Sequence, residues 1–572
     1  MKFPISATIR FLTVNLESSS SSPNDRQKHR VHASIAFAVL LLGVGVPLWW
    51  HTTAVPRVPL PYSGIAALSD LETKISVKII VAGLVRSRIE LLTEEIGRAF
   101  QESEPYSLDI SYEVISSKLV SSSYTPQDHE KVAKTFDIGV GDLLLLESPN
   151  VYGVVVGSGR SIFFAKDTSG PKLAQVVAKW ILRDKSVALT KNALTDPTRF
   201  SLDEENRRRF PASPAYDVLL TMVNPDPEKL KVKWDLPTLS VDYLEPFLRE
   251  TSLVANFSVK SQWLYLMPLD VVPKQIPDSS PRGRHYALPE DVLPQLITPL
   301  EKKLASQVSL HPCINLVVYV VPCDEAPLHI YTRSGHRSKP ANNVEAFLSP
   351  RWGGIVIANP PPEVCEESQM DEVVEVVPNA ATVMGVFIAQ LRLLLGIPET
   401  DDSIPGARVV PLVGSKPRDW ELDALLRIRA VEQLTSAKLT LQSLAQLLEE
   451  ISNIVITDTV GNRIKNALSL VQSSADRLKN GDLNDAFLLS KEAFVTAEAA
   501  FTDPSLLALL YFPDDQKYAV YIPLFLPVMI PVLLSLKNIK RYYFPKDAEK
   551  NEDEEKNANR TDDDDSGKLK AE

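Results

Sequence analysis

The chain has 572 residues, of which 61 are Lys or Arg and 72 are Asp or Glu, so its formal net charge is −11. This length suggests more than one domain, and a hydrophobic fraction of 44% excludes wholesale disorder. The acidic balance argues against a nucleic-acid binder, three cysteines are too few for a disulfide scaffold, and eight scattered histidines do not suggest a metal-rich enzyme.

Two long apolar segments lie near opposite ends of the chain. Residues 31–50 and 518–536 contain no Asp, Glu, Lys or Arg, and each is about as long as the roughly 20-residue helix that crosses a bilayer. The alternatives are a buried core helix for either segment and a cleaved signal peptide for the first. Length, uncharged interiors and basic flanks favour two transmembrane helices.

The basic flanks predict how these helices are oriented. The flanking cations are Arg26, Lys28 and Arg30 before the first segment, and Lys537, Lys540, Arg541 and Lys546 after the second. Because cytosolic flanks are enriched in Lys and Arg, we predict a cytosolic tail at 1–30 and an acidic cytosolic tail at 537–572. The residues between the two helices, 51–517, are predicted to be lumenal or extracellular.

Sequons and tail residues carry further predictions. Asn256, followed by Phe and Ser258, is predicted to carry an N-linked glycan because it lies in the lumenal part. Asn559 heads a second sequon, but it lies in the cytosolic tail and is predicted to stay unmodified. Near the end of that tail, Lys568 and Lys570 resemble a dilysine signal for retrieval to the endoplasmic reticulum. The tail itself is predicted to be disordered.

Strand-like and helix-like patterns alternate between residues 51 and 417, which predicts an α/β lumenal region of one or two domains. The predicted strands cover 75–82, 108–120, 138–146, 151–156, 216–223, 251–266, 314–321 and 353–358, and the predicted helices cover 88–100, 172–189 and 380–396. Gly157 and Gly159 are predicted to form a turn between two strands, since they fit no nucleotide-binding motif.

Residues 418–517 have a different character. Apolar residues recur every three or four positions in 420–452, 464–478 and 487–497, which predicts three amphipathic helices packed as a lumenal bundle. Asp482 follows a glycine and is predicted to cap the third helix.

No catalytic, cofactor-binding or metal-binding residue is predicted. Cys313 and Cys323 flank a predicted strand that would hold them about 30 Å apart, so they could pair only if the segment folds back. Neither they nor Cys365 lie in a protease signature, and we interpret all three as structural or incidental. His311 and His329 lack a paired metal-ligand spacing and are interpreted as surface or core residues.

The string SPRWGG at 349–354 is the most unusual of the lumenal region. Two interpretations are open. The glycines could allow backbones to pack closely beside Trp352, which we favour, or Trp352 could line a groove for a partner or peptide.

Several segments of the sequence resemble those of the PIG-S family, whose members are subunits of the glycosylphosphatidylinositol (GPI) transamidase. The resemblance runs through PLWWHTT at 47–53, NPDP at 224–227, ANFSVKSQ at 255–262, SPRWGGI at 349–355, FIAQLRLLLG at 387–396, WELD at 420–423 and the whole of 503–536. Their order and spacing agree with the family as well.

The resemblance implies an endoplasmic reticulum membrane complex that attaches preassembled GPI anchors to proteins at a C-terminal signal. It implies four partners: the caspase-like PIG-K, which carries the catalytic Cys/His pair, PIG-T, PIG-U and the GPI-anchor attachment protein. The chain itself is then a non-catalytic subunit with a scaffold, assembly or substrate-positioning role. The alternative is an independent membrane-anchored lumenal hydrolase or binding protein.

Overall fold

The computed structural model describes most of the chain between residues 23 and 543. The described residues are 23–45, 47, 48, 51, 57–116, 125–277, 283–337, 345–363, 365, 373–397, 399, 400, 404–451, 454–507 and 514–543. The predictions for Asn559, for Lys568 and Lys570 and for the acidic tail beyond residue 543 concern residues outside these ranges.

Sixteen strands are found in the described residues. They are β1 Ile75–Gly83, β2 Tyr106–Val114, β3 Leu143–Glu147, β4 Val154–Val156, β5 Ser161–Phe164, β6 Ala215–Asn224, β7 Leu230–Val232, β8 Asn256–Tyr265, β9 Lys274–Ile276, β10 His285–Pro289, β11 Cys313–Val320, β12 Leu328–Tyr331, β13 Glu345–Ser349, β14 Gly353–Ala358, β15 Val374–Val376 and β16 Ala407–Val409.

The first sheet has six strands in the order β16-β4-β5-β3-β1-β2. All neighbours are parallel except β4 and β5, which are joined by the predicted glycine turn and run antiparallel. Strand β3 reads LLLLE and is buried at every position, as expected for a strand inside a parallel sheet covered on both faces. Strand β2 forms one edge, and its second half is largely exposed.

The second sheet has five strands in the order β13-β14-β11-β6-β8. It is parallel apart from the antiparallel hairpin of β13 and β14. Strands β6 and β11 are buried along nearly their whole length, whereas β8 lies at the edge and is largely exposed. Two smaller sheets, β12-β10-β9 and β15-β7, complete the strand content of the described residues.

The α-helices of the described residues include four short ones of four or five residues and two of 30 residues or more. They are α1 Pro23–Leu40, α2 Tyr62–Ala66, α3 Arg86–Ala99, α4 Pro126–Ala133, α5 Gly170–Val176, α6 Asp184–Thr195, α7 Glu204–Arg208, α8 Leu236–Leu239, α9 Glu245–Glu250, α10 Leu293–Glu301, α11 Ala380–Leu395, α12 Asp419–Glu450, α13 Asp458–Asn480, α14 Leu483–Phe501, α15 Pro504–Leu507 and α16 Asp514–Tyr543.

The chain forms two compact units. The larger contains Pro59–Glu450 and Asp458–Asp503, and therefore both large sheets and the helices from α2 to α14. In the smaller unit, α1 and α16 lie against each other, and Arg57 forms a parallel bridge with Ile456.

The structure confirms the predicted α/β class with a C-terminal helical region. Three predicted strands begin too early, because Gly141, Gly153 and the end of α9 precede β3, β4 and β8 in non-strand conformation. The predicted helix at 172–189 is broken at Arg183, which takes a left-handed conformation and separates a π-helical turn from α6.

Two corrections concern the C-terminal helices. Helix α12 was predicted to be amphipathic, but its first half is buried on all sides, including Glu421, Asp423, Arg427 and Arg429. Asp482 does occupy the N-cap position of α14, but its side chain does not cap the helix. It pairs instead with Arg477, at 2.8 Å.

The two predicted spans overlap helical segments. Helix α1 continues as a π-helix to Gly45, and α16 contains Pro523, Pro527 and Pro531 within its 30 residues. No helix among the described residues combines the length and apolarity that crossing a bilayer requires.

Candidate interaction surfaces and buried charged contacts

The predicted glycan acceptor, Asn256, is the first residue of edge strand β8. It is exposed, and its backbone N–H donates to the carbonyl of Pro214 at 3.0 Å. Ser258, the third residue of the sequon, is exposed as well. The side-chain amide is therefore accessible from solvent, as a glycan acceptor needs to be, and glycosylation at Asn256 stays a prediction.

Strand β8 is also a candidate binding surface for another chain. Within the described residues it pairs with β6 alone, so its outer edge presents backbone groups without a strand partner. Side chains on both faces are exposed, and the rings of Trp263 and Tyr265 stack with their centroids 6.0 Å apart. Exposed edges of this kind can accept a strand from a partner.

The SPRWGG string forms the turn between β13 and β14, and the structure supports the packing interpretation. A Cβ added to Gly353 would lie 1.9 Å from the carbonyl oxygen of Asn315, and one added to Gly354 would lie 2.1 Å from Gln390. The partly buried Trp352 packs against the core cluster of the second sheet. Close packing therefore explains the two glycines without a groove.

The three cysteines divide into a disulfide and one free thiol. Cys323 pairs with Cys365, with Cα atoms 5.2 Å apart, and Cys313 remains free. Burial, with a smaller contribution from Asp217, raises the pKa of the Cys313 thiol to about 11. This thiol is therefore protonated near neutral pH and is a poor nucleophile.

A group of polar side chains lies where β10, β12 and β13 meet. His329 contacts the buried carboxylate of Glu345 at 3.0 Å, and Arg337 donates to the same carboxylate at 3.1 Å. His285 is buried and lies 2.7 Å from the hydroxyl of Tyr331. The group is paired internally, and within the described residues no set of three His, Cys, Asp or Glu is arranged to hold a metal.

Helix α12 carries the most extensive set of buried charges, and two of them contact the first sheet and its loops. Asp423 accepts two hydrogen bonds from Arg160, at 2.6 and 3.0 Å, and a third from the backbone N–H of Gly141 at 3.0 Å. One turn further along, Arg427 donates to the carbonyls of Gly141 and Ile181. These bonds attach one side of α12 to the residues just before β3 and β5 and to the π-helical turn that contains Ile181.

The opposite side of α12 contacts α11 and Arg209, the residue that follows α7. Glu421 accepts from Arg392 of α11 at 2.7 Å and from Arg418. The carboxylate of Glu432 is shared by Arg209 at 2.8 Å and by Arg429 at 3.0 Å.

Arg429 also donates to the carbonyl of Leu395 at the end of α11. Through these hydrogen-bonded charges, the first half of α12 connects the part of the larger unit that contains the first sheet with the part that contains the second sheet. Sequence reasoning missed this role, although the alternation of charged residues with leucines in 421–429 was a visible signal.

The fold and the sites together define a mixed α/β protein. The buried charges described above form ion pairs and hydrogen bonds that connect parts of the fold, and the exposed sheet edge at β8 is suited to binding another chain. The sequence profile of the family described as PIG-S, phosphatidylinositol-glycan biosynthesis class S protein, matches residues 36–546. The chain belongs to the PIG-S family.

Curated relatives extend from mammals to yeast. The rat protein named GPI-anchor transamidase component PIGS is 37% identical over 538 residues, which cover 89% of this chain and 94% of the relative. The human protein of the same name is 37% identical over 535 residues with the same coverage. The Saccharomyces cerevisiae protein named GPI transamidase component GPI17 is 22% identical over 554 residues, covering 92% of this chain and 94% of the relative.

Proposed function

We propose that this protein is a component of a GPI transamidase in the endoplasmic reticulum membrane. The observation that carries the proposal is the family match over residues 36–546, which includes both large sheets, the helical region, residues 36–50 of the first apolar segment and all of the second. Relatives that match over the same extent are named as components of that enzyme. A match of this extent argues for a shared role of the whole chain rather than of one borrowed domain.

The role we propose within the complex is assembly or substrate positioning rather than catalysis. Of the three cysteines, two are joined in a disulfide and the thiol of Cys313 has a raised pKa, so this chain offers no reactive thiolate. The transamidation chemistry then belongs to a caspase-like PIG-K partner, with PIG-T, PIG-U and the GPI-anchor attachment protein as the other subunits. The exposed edge of β8 is a surface on which such a subunit could dock.

The membrane arrangement we propose has spans at 31–50 and 518–536, with both termini in the cytosol and 51–517 in the lumen. The basic flanks of the two segments support this orientation. The disulfide between Cys323 and Cys365 supports it independently, because disulfides persist in the oxidising lumen and are rare in the cytosol.

Purification of a tagged full-length chain from mild detergent tests the proposal. We expect a caspase-like cysteine protease homologue to be recovered with it, together with a PIG-T-like protein and multi-span partners. Recovery of a folded chain without any of these would overturn the transamidase assignment and favour an independent lumenal protein.

A second version of the same experiment tests the role of the membrane helix. Residues 518–536 are replaced by a Leu/Ala segment of equal length, so that the chain keeps its anchor but loses the prolines at 523, 527 and 531. We expect lower recovery of the multi-span partners, because prolines shape the surface that a membrane helix offers to its neighbours. Unchanged recovery would exclude this contact.

A further inference from the structure

A cavity of about 200 Å³ lies between the segment that precedes β1 and the helices α6 and α12, all within the larger unit. Its polar lining comes from all three elements: Ser69 and Thr73 from the first, Lys191 and Thr195 from α6, and Thr435 and Lys438 from α12. Among the described residues that line it, none is acidic.

Two ammonium groups share this space. Lys438 donates to the carbonyl of Ser69 at 3.2 Å, and its pKa is lowered by burial and, further, by the positive charge of Lys191. Lys191 lies 3.7 Å from the carboxylate of Glu104, which is 53% exposed. Three carboxylates, those of Glu104, Asp70 and Glu72, interact with one or other of the two lysines, but none belongs to the residues that line the cavity. The lining itself therefore carries two cations and no carboxylate.

One residue of the cavity lining carries a buried polar atom with an unmet hydrogen-bonding capacity. Thr73 is 7% exposed, and its Oγ1 is buried with no hydrogen-bond partner in the described part of the chain. A buried hydroxyl without a partner costs free energy, so native proteins normally supply one. Because the side chain of Thr73 lines the cavity, a rotation about its χ1 that turns the hydroxyl inward lets it donate to a ligand there.

A larger cavity near Trp180, about 540 Å³ in volume, shows the contrast. Its lining holds three basic and four acidic side chains, and Glu205, the carboxylate that pairs with Arg183, belongs to that lining. That cavity therefore has no preference for an anion, whereas the smaller one combines two cations with hydroxyl donors.

We propose that the smaller cavity binds a phosphate group, held by the ammonium groups of Lys191 and Lys438 and by the hydroxyl of Thr73. A phosphate offers several acceptor oxygens and up to two negative charges, which match two cations better than a carboxylate does. The volume exceeds the roughly 30 Å³ share of one water several times, so a phosphate fits. The phosphate is either inorganic phosphate or part of an inositol phosphate head group, and only the second source rests on the proposed function.

Isothermal titration calorimetry on the full-length chain in detergent, in phosphate-free buffer, tests the site. The probes are inorganic phosphate, inositol 1-phosphate and, for comparison, acetate. We expect both phosphates to bind with Kd values in the millimolar range or below, and acetate to bind more weakly. Tighter binding of inositol 1-phosphate supports a head-group ligand, and equal binding supports a site for the phosphate group alone.

Three variants locate the binding. The double variant Lys191→Met/Lys438→Met is expected to weaken phosphate binding at least tenfold, and Thr73→Val is expected to weaken it several-fold. Thr73→Val should not lower the melting temperature without phosphate, because it removes a hydroxyl that has no partner. The control is Lys134→Met, which removes one exposed positive charge at a residue that does not line the cavity.

Two results would overturn the proposal. One is the absence of binding by either phosphate up to about 10 mM. The other is an equal loss of phosphate binding in Lys134→Met and in the double variant, which would mean that binding depends only on the net charge of the protein. Neither result bears on the purification of the complex, so the two proposals fail separately.

Discussion

Arg160 and Asp423 are 263 residues apart in sequence and form a two-point ion pair, with N–O distances of 2.6 and 3.0 Å. Arg160 lies just before β5 in the first sheet, and Asp423 lies in the first turns of α12. The side chain of Asp423 is only 2% exposed, so its charge depends on this pair and on the N–H of Gly141. The contact fixes the long helix to the first sheet.

Asp423→Asn is expected to destabilise the larger unit by about 3–5 kcal/mol, because it leaves the partly buried Arg160 without its countercharge. Urea denaturation of the purified chain measures the change. The matched control is Glu94→Gln, which removes a carboxylate paired with Arg98 on the exposed face of α3 and should change stability by less than about 0.5 kcal/mol. Equal effects of the two substitutions would contradict a structural role for the buried pair.

The pH dependence of stability should depend on Glu432. Burial alone would raise its pKa, but Arg209 and Arg429 outweigh burial and lower the pKa of this carboxyl. Because the folded pKa lies below the unfolded value of about 4.3, the carboxylate stabilises the fold above that pH, and this stabilisation is lost as the pH falls through the folded pKa.

Glu432→Gln is therefore expected to be less stable than the parent near pH 7. The difference in unfolding free energy between the two proteins should become smaller as the pH falls. Urea midpoints of both proteins between about pH 7 and pH 3 give the comparison. The exposed pair of Arg86 and Glu90 supplies a control, since Glu90→Gln should leave the difference from the parent small at every pH. A difference for Glu432→Gln that is constant with pH would exclude the linkage.

How much of this could be predicted from the sequence depends on where each residue finds its partners. Strands β1, β6, β11 and β14 were predicted almost to the residue, because buried parallel strands read as continuous apolar runs. The small sheet of β9, β10 and β12 was missed, since its strands are three to five residues long and mix polar with apolar side chains.

The buried charges of α12 were missed for a different reason. Arg427 donates to Gly141, which lies 286 residues earlier in the chain, so no local pattern identifies the partner that allows this arginine to be buried. The same holds for the disulfide, because Cys365 reaches Cys323 through the fold rather than through a recognisable spacing. The cavity lined by Thr73, Lys191 and Lys438 combines residues from three distant segments in the same way.

The disulfide should contribute strongly to stability. Cys323 and Cys365 are 42 residues apart, and closing a loop of that length is expected to stabilise the fold by about 4 kcal/mol through the unfolded chain. Cys365→Ser should therefore lower the urea midpoint and remove any further effect of reductant. Cys313→Ser is the control, because that thiol is free, and it should retain the response to reductant. A parent protein insensitive to reductant would contradict this prediction.

Alanine substitutions at two glycines, Gly353 and Gly385, are expected to change stability in opposite directions. In Gly353→Ala the new methyl group would lie 1.9 Å from the carbonyl oxygen of Asn315, and the residue has a φ of +152°, so we expect a loss of several kcal/mol. Gly385, in helix α11, has nothing within 4 Å of an added Cβ, and Gly385→Ala should stabilise by about 0.5–1 kcal/mol. Thermal unfolding of both variants measures this difference, and a tolerated Gly353→Ala would reopen the interpretation of the turn as a binding groove.

The orientation of the whole chain can be tested at Asn256. Because this residue is exposed at the start of edge strand β8 and lies in the proposed lumenal region, we expect it to carry an N-linked glycan. Treatment of the expressed protein with an endoglycosidase should increase its gel mobility, and Asn256→Gln should abolish the shift. Asn559→Gln is the control, since its sequon lies in the proposed cytosolic tail and the substitution should change nothing. A shift that survives Asn256→Gln and disappears in Asn559→Gln would place the C-terminal tail in the lumen and reverse the proposed topology.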